Sequence, residues 1–150
     1  MNFNQILYRS FFYQGIRAAK YLIWIAVAWF TNNINQELME KKGLNIRVLI
    51  SDQEANNKLL PKLKEKFDTV LVQHFDYYGN NRMHDKYRII DMDYVMHGSY
   101  NWTSTAKYNG ETLATTIDRE FVKKFADGFM KIYEDMGLPY HLRTVELYCA

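Results

Sequence analysis

The chain has 150 residues, 48% of them hydrophobic and 24% charged, which suits one domain spanning residues 1–150 with a sizeable core. A formal net charge of +2 excludes a polycation that coats nucleic acid without selectivity, so any polyanion site must be a local patch. The lone cysteine, Cys149, excludes an internal disulfide and a cysteine-rich zinc module, and it points to a reducing compartment.

Residues from about Asn4 to Lys20 read as an amphipathic helix, with Leu7, Phe11 and Ile16 near one face and Arg9, Gln14 and Arg17 elsewhere. Such a helix can lie on a membrane, but a core-facing role is the commoner use. Tyr21 to Ala28 follows as a buried strand, continuous in apolar residues. The apolar stretch from Tyr21 to Phe30 is about half of what a spanning helix needs. Gln14 and Arg17 fall where a signal peptide has its apolar core. The expectation is therefore a cytoplasmic protein without stable membrane insertion.

Thr31 to Asn33 supply helix-start chemistry for Ile34 to Lys42, and Gly43 is the predicted stop. Asn45 to Ile50 reads as a second strand. A helical region follows from about Gln53 to Phe67, with Pro61 starting its second half. Thr69 to His74 is the third strand. This alternation of helix and strand predicts parallel strands covered by helices.

The pattern then changes. Phe75 to Met83 reads as a loop. Lys86 to Ile90 and Tyr94 to His97 form a hairpin with a tight turn at Asp91-Met92-Asp93. Glu111 to Thr116 is a further strand. The last helix runs from about Asp118 to Met136, with Val122, Phe125, Phe129 and Ile132 on one stripe, and Gly137 and Pro139 end it. The predicted fold class is α/β, a mixed, largely parallel sheet between helices in three α/β/α layers.

Chemistry concentrates in His84-Asp85-Lys86, Asp91, Gly98-Ser99-Tyr100-Asn101 and Glu111. Side chains alternate along a strand, so His84 shares a face with Lys86, and Ser99 shares one with Asn101. A two-residue turn, Asp91-Met92 or Met92-Asp93, sets His84 opposite Ser99 or Asn101. That hairpin gathers an imidazole, an ammonium, a hydroxyl and a carboxamide on one surface. Those groups can attack phosphorus, hold phosphate charge and donate to an oxyanion.

His84-x-Lys86, four intervening residues, Asp91, and Gly98-Ser99-x-Asn101 together resemble the HKD signature of the phospholipase D superfamily. Trp102-Thr103 and Asn109-Gly110-Glu111 continue the resemblance, as do the βαβ order before the motif and the helix after it. The resemblance implies that His84 attacks phosphorus and forms a phosphohistidine. A second His84, from a partner subunit, then protonates the leaving oxygen and activates water. Lys86 and Asn101 hold the non-bridging oxygens and Ser99 adds a hydroxyl. Glu111 accepts from the other nitrogen of His84 and fixes its tautomer. Asp91, in the hairpin turn and on the opposite parity from His84, reads as structural, setting the turn and the site's shape, and Gly98 likewise reads as structural near the site. No metal or other cofactor is called for, because paired lysines take the place of a divalent cation.

Outside this motif the bland readings carry more weight. His74, His97 and His141 lack the accompanying lysine and asparagine and read as structural or solvated. Glu111 alone would be an edge charge. Lys107, Lys123 and Lys124 read as solvated charges. In the loop, Tyr77, Tyr78 and Arg82 are either plain surface or a groove lip in which the tyrosines stack on bases and the arginine meets phosphate.

The family acts on both lipid and nucleic-acid phosphodiesters, so the motif names the reaction and leaves the substrate open. Its small single-motif members are most often nucleases. The leading expectation is thus a metal-independent endonuclease working as a homodimer on DNA or RNA. The competing ones are a phospholipase or cardiolipin hydrolase, with Phe11-Phe12-Tyr13 as the only apolar rim, and a non-catalytic nucleic-acid-binding module of the same fold.

Overall fold

The computed structural model describes residues 14–30, 32–73, 86–98 and 113–138. Among these residues six strands form one sheet: β1 (Leu22–Val27), β2 (Asn45–Ser51), β3 (Asp68–Val72), β4 (Lys86–Ile90), β5 (Tyr94–Gly98) and β6 (Leu113–Thr116). Their spatial order is β3-β2-β1-β4-β5-β6. β1 pairs in parallel with β2, and β2 with β3. The three remaining pairings, β1 with β4, β4 with β5 and β5 with β6, are antiparallel. The sheet is therefore mixed: β1, β2, β3 and β5 run one way, β4 and β6 the other.

Helices cover both faces. On one face lie α1 (residues 14–18), α2 (Asn32–Met39) and α3 (Glu54–Lys66). Ile16, Leu38, Leu63 and Phe67 meet Ile23, Ile25 and Val27 of β1, Ile46, Val48 and Ile50 of β2, and Ile90 of β4 there. On the other face α4 (Arg119–Asp135) lays Val122, Ala126, Phe129 and Ile132 against Ala26, Leu49, Val72, Tyr87, Ile89 and Val95. Phe129 is fully buried and its ring stacks 5.2 Å from that of Trp24. Burial on that scale contributes about 2–3 kcal/mol per side chain. β1 and β2 serve both cores, which is why Leu22–Val27 and residues 48–50 are continuous in apolar residues instead of alternating.

Several elements depart from their predicted extents. α1 is described only from residue 14, so the predicted stretch from Asn4, with Leu7 and Phe11, lies outside the described residues. Gly15 comes close to β5, where an added Cβ would stand 3.1 Å from the Met96 sulfur and 3.3 Å from the Tyr94 hydroxyl. α2 starts at Asn32 and ends at Met39. Lys41 and Lys42 thus lie beyond it, and the Lys41 ammonium instead donates to the Arg17 carbonyl at 2.6 Å, closing the end of α1. α3 is one helix running through Pro61, not two halves. Pro61 and Asn57 both lie on its exposed side, where the carbonyl that loses a partner to proline faces water. α4 begins as predicted, with the Asp118 carboxylate accepting from the Phe121 backbone N–H at 2.9 Å.

Candidate functional site at the sheet edge

One row of residues crosses the whole sheet at a single level. Leu71 pairs with Ile50, Ile50 with Val27, and Val27 with Lys86. Tyr87 pairs with His97, so one rung further Lys86 stands beside Gly98, and Gly98 pairs with Leu113. This row closes the end of the sheet at which the parallel strands finish, the usual place for a site in an α/β sheet. Three chain segments meet the sheet along it. The segment ending in His84-Asp85 leads into β4 at Lys86. The segment beginning Ser99-Tyr100-Asn101 leaves β5 at Gly98. The segment ending Glu111-Thr112 leads into β6 at Leu113.

Among the residues expected at the site, Lys86, Gly98 and Asp91 are described. His84, Ser99, Asn101 and Glu111 lie outside the described residues, as do Tyr77, Tyr78 and Arg82. Lys86 is half-buried and stands opposite Val27, on the face that carries α1, α2 and α3. Arg88 follows on that same face, fully buried, with its Nε donating to the Met96 sulfur at 3.3 Å. Its position, two residues after Lys86 on an apolar strand, was the only hint the sequence offered of a second cation beneath the row.

The hairpin register corrects the predicted one. Ile90 pairs with Tyr94, so three residues, Asp91, Met92 and Asp93, lie between the paired strands. Asp91 and Met92 make the tight turn, but pairing resumes only at Tyr94, so the register from which His84 was aligned with Ser99 or Asn101 is not the one observed, and those three residues lie outside the described residues. The cause is local. Asp91 and Met92 both take positive φ, 53° and 59°, and the Asp93 N–H closes the turn onto the Ile90 carbonyl at 2.9 Å. Asp93 is then an added residue before pairing resumes. Gly98 marks a second break. Its φ of +148° is a conformation that side chains with a Cβ rarely adopt, so regular alternation from β5 cannot be carried past it.

Asp91 lies at the other end of β4 from Lys86, five residues and about 16 Å along the strand. Its carboxylate accepts three backbone N–H groups: Lys20 at 2.9 Å, Tyr21 at 2.7 Å and Leu22 at 2.9 Å. Its own N–H donates to the Leu22 carbonyl at 2.9 Å. Burial pushes this carboxyl up, but the N–H groups of Lys20, Leu22 and Tyr21 and the charge of Lys41 outweigh it and hold it below the usual carboxylate range. Asp91 thus anchors the start of β1 to the hairpin turn.

A folded pKa below the unfolded one means a contribution that is complete above the unfolded value, about 4. It is lost as pH falls through the folded value. Asp91→Ala should cost about 2 kcal/mol near neutral pH, read as a lower urea midpoint. The gap to wild type should close in acid. Catalytic rate well below the unfolding transition should stay unchanged. An unchanged midpoint with a slowed reaction would instead place Asp91 in the chemistry.

His97 sits between β5 and α4. Its Nε2 lies 3.0 Å from the Thr116 hydroxyl, and its ring stacks 5.5 Å from that of Phe125. Both partners belong to the α4 side of the sheet. Lys123 pairs with Asp127 at 2.7 Å on the exposed side of α4. His74, Lys107 and His141 lie outside the described residues. No helix among the described residues is long and apolar enough to cross a membrane.

A mixed six-stranded sheet between helices, with sequence-marked segments meeting at one end, defines the class of fold. The family model described as cardiolipin synthase, PLD-like domain, matches residues 12–133. The chain belongs to the phospholipase D superfamily. Human mitochondrial cardiolipin hydrolase is 33% identical over 103 residues, which cover 67% of this chain and 40% of that protein. The chain therefore spans about two fifths of the length of such curated relatives. Among solved structures, NucT from Helicobacter pylori is similar with a TM-score of 0.78 and 26% identity, over 89% of this chain and 92% of that one. Nuc from Salmonella typhimurium, a phospholipase D family member, shares the fold with a TM-score of 0.68 and 18% identity, over 84% of this chain and 86% of that one.

Proposed function

We propose that the protein is a phosphodiesterase, and within that class a nuclease that cleaves DNA or RNA without a metal ion. The observation that carries the reading is the row Val27–Lys86–Gly98–Leu113. It sets the half-buried Lys86 at the end of the sheet where the segments bearing His84, Ser99 with Asn101, and Glu111 all join. A lysine there supplies a fixed positive charge for a phosphodiester. His84 attacks phosphorus, giving a phosphohistidine, while the partner's His84 gives its proton to the departing oxygen. The same partner imidazole then takes a proton from water, whose oxygen attacks phosphorus and frees His84.

Nucleic acid is favoured over lipid by the likeness to NucT, which at 26% identity and a TM-score of 0.78 extends over 89% of this chain and 92% of that one. The 33% identity to human mitochondrial cardiolipin hydrolase keeps cardiolipin as the second reading. Purified protein, dialysed against EDTA and assayed in its presence, should turn over bis-p-nitrophenyl phosphate and single-stranded DNA or RNA at undiminished rate. Cardiolipin liposomes cleaved in preference to nucleic acid would establish the second reading. Activity abolished by EDTA and restored by Mg²⁺ or Mn²⁺ would overturn the histidine mechanism.

A further inference from the structure

Asn56 is an interior residue of α3, fully buried, and every polar atom of its side chain is used at the sheet edge. Its Nδ2 donates to the Ala28 carbonyl at 2.7 Å and to the Ser51 carbonyl at 2.8 Å. Its Oδ1 accepts the Phe30 N–H at 3.1 Å. Ala28 and Ser51 each follow directly on the last paired rung between β1 and β2, Val27 with Ile50. One carboxamide thus closes the two strands where they separate, and turns the chain after β1 back toward α3. No other side chain can replace it simply, because the position demands two donors and one acceptor in one plane.

The other flank of Val27 is Lys86. β1 is what separates the Asn56 latch from the lysine, and both of its regular ladders end at that rung, Val27 with Ile50 and Val27 with Lys86. We infer that Asn56 is a positioning residue for the phosphodiesterase site, acting through the end of β1 to hold Lys86 at its place in the row. The inference rests on the function proposed above. Reacting groups tolerate little displacement: an error of about 1 Å costs on the order of a hundredfold in rate. A loosened β1 end moves Lys86 without touching substrate.

The test is a double-mutant cycle on bis-p-nitrophenyl phosphate at low temperature, with Asn56→Ala made in the wild-type and Lys86→Ala backgrounds. Asn56→Ala should lower kcat roughly 10- to 100-fold in the first background and have little further effect in the second, because the group it positions is already gone. Phe129→Leu, which weakens the α4 core far from this edge, should leave kcat near wild type. If Asn56→Ala does not fold, Asn56→Ser, which keeps one donor, takes its place in the cycle. Equal losses in both backgrounds, or a native fold with undiminished kcat, would overturn the inference.

Amide hydrogen exchange separates this from the functional reading. In the Asn56 variant protection should fall at the paired β1 and β4 amides around Val27 and Lys86 and persist in β5. Uniform loss across the sheet counts against the latch. A wild-type protein with no phosphodiesterase activity defeats the functional reading alone, and the exchange pattern still decides whether Asn56 fixes the position of Lys86.

Discussion

His84→Ala should abolish phosphodiester turnover while leaving the fold intact, with a loss of roughly a thousandfold or more. Deleting a covalent nucleophile removes the step itself, and residual catalysis comes only from the groups that still bind the phosphate. A group that reacts with substrate has to be open to it, so removing the His84 side chain should cost little packing and the urea midpoint of the variant should match wild type. Lys86→Ala should lose less, because it takes away one charge and leaves the nucleophile in place. Lys86→Arg is no remedy, since a planar fork replaces a compact ammonium in a half-buried position. His141→Ala, outside the motif, should be indistinguishable from wild type. A His84→Ala protein that keeps substantial activity would exclude the phosphohistidine route.

The periodicities that survived intact are those driven by burial on both sides. Leu22 to Val27 and Asn45 to Ser51 sit inside the sheet with helices above and below, so the apolar run of the first and the apolar residues 48–50 of the second read plainly as strand. The stripe of α4 and its Asp118 cap are similarly plain, because an amphipathic helix on one face writes its period directly into the chain. The hairpin register was out of reach. Nothing in Asp91-Met92-Asp93 announces that Asp93 would stand as an added residue before pairing resumes at Tyr94, and Met92 is an unusual residue to hold a positive φ. What stabilises that turn is Asp91 reaching back some seventy positions to the start of β1, a long-range contact with no local sign. Asn56 was hidden for the same reason. An asparagine within a polar run of α3 looks like a solvated helix residue until the exits of two strands are found against it. The HKD pattern pointed to the superfamily to which the chain belongs, while the register at the hairpin belongs to tertiary contacts.

A site shared by two chains, as proposed, would have a quantitative signature. One HKD motif supplies one histidine, whereas attack and leaving-group protonation need two groups on opposite sides of phosphorus. A two-fold axis supplies the second copy. The sheet restricts where that axis can run. Pairing the outer edge of β6 with its own copy would be antiparallel. It would set the Leu113 end of one chain beside the Thr116 end of the other and send the two Lys86 rows to opposite ends of a continuous sheet. A shared site instead requires the chains to meet at the row itself, end of sheet toward end of sheet. Wild-type protein co-refolded with growing amounts of His84→Ala protein, at fixed total concentration, should then lose activity as the square of the wild-type fraction. At equal amounts about one quarter of the activity should remain, because mixed dimers hold a single His84 and cannot complete the cycle. A linear fall, with about half remaining, would show that each chain works alone and would remove the two-subunit site from the mechanism.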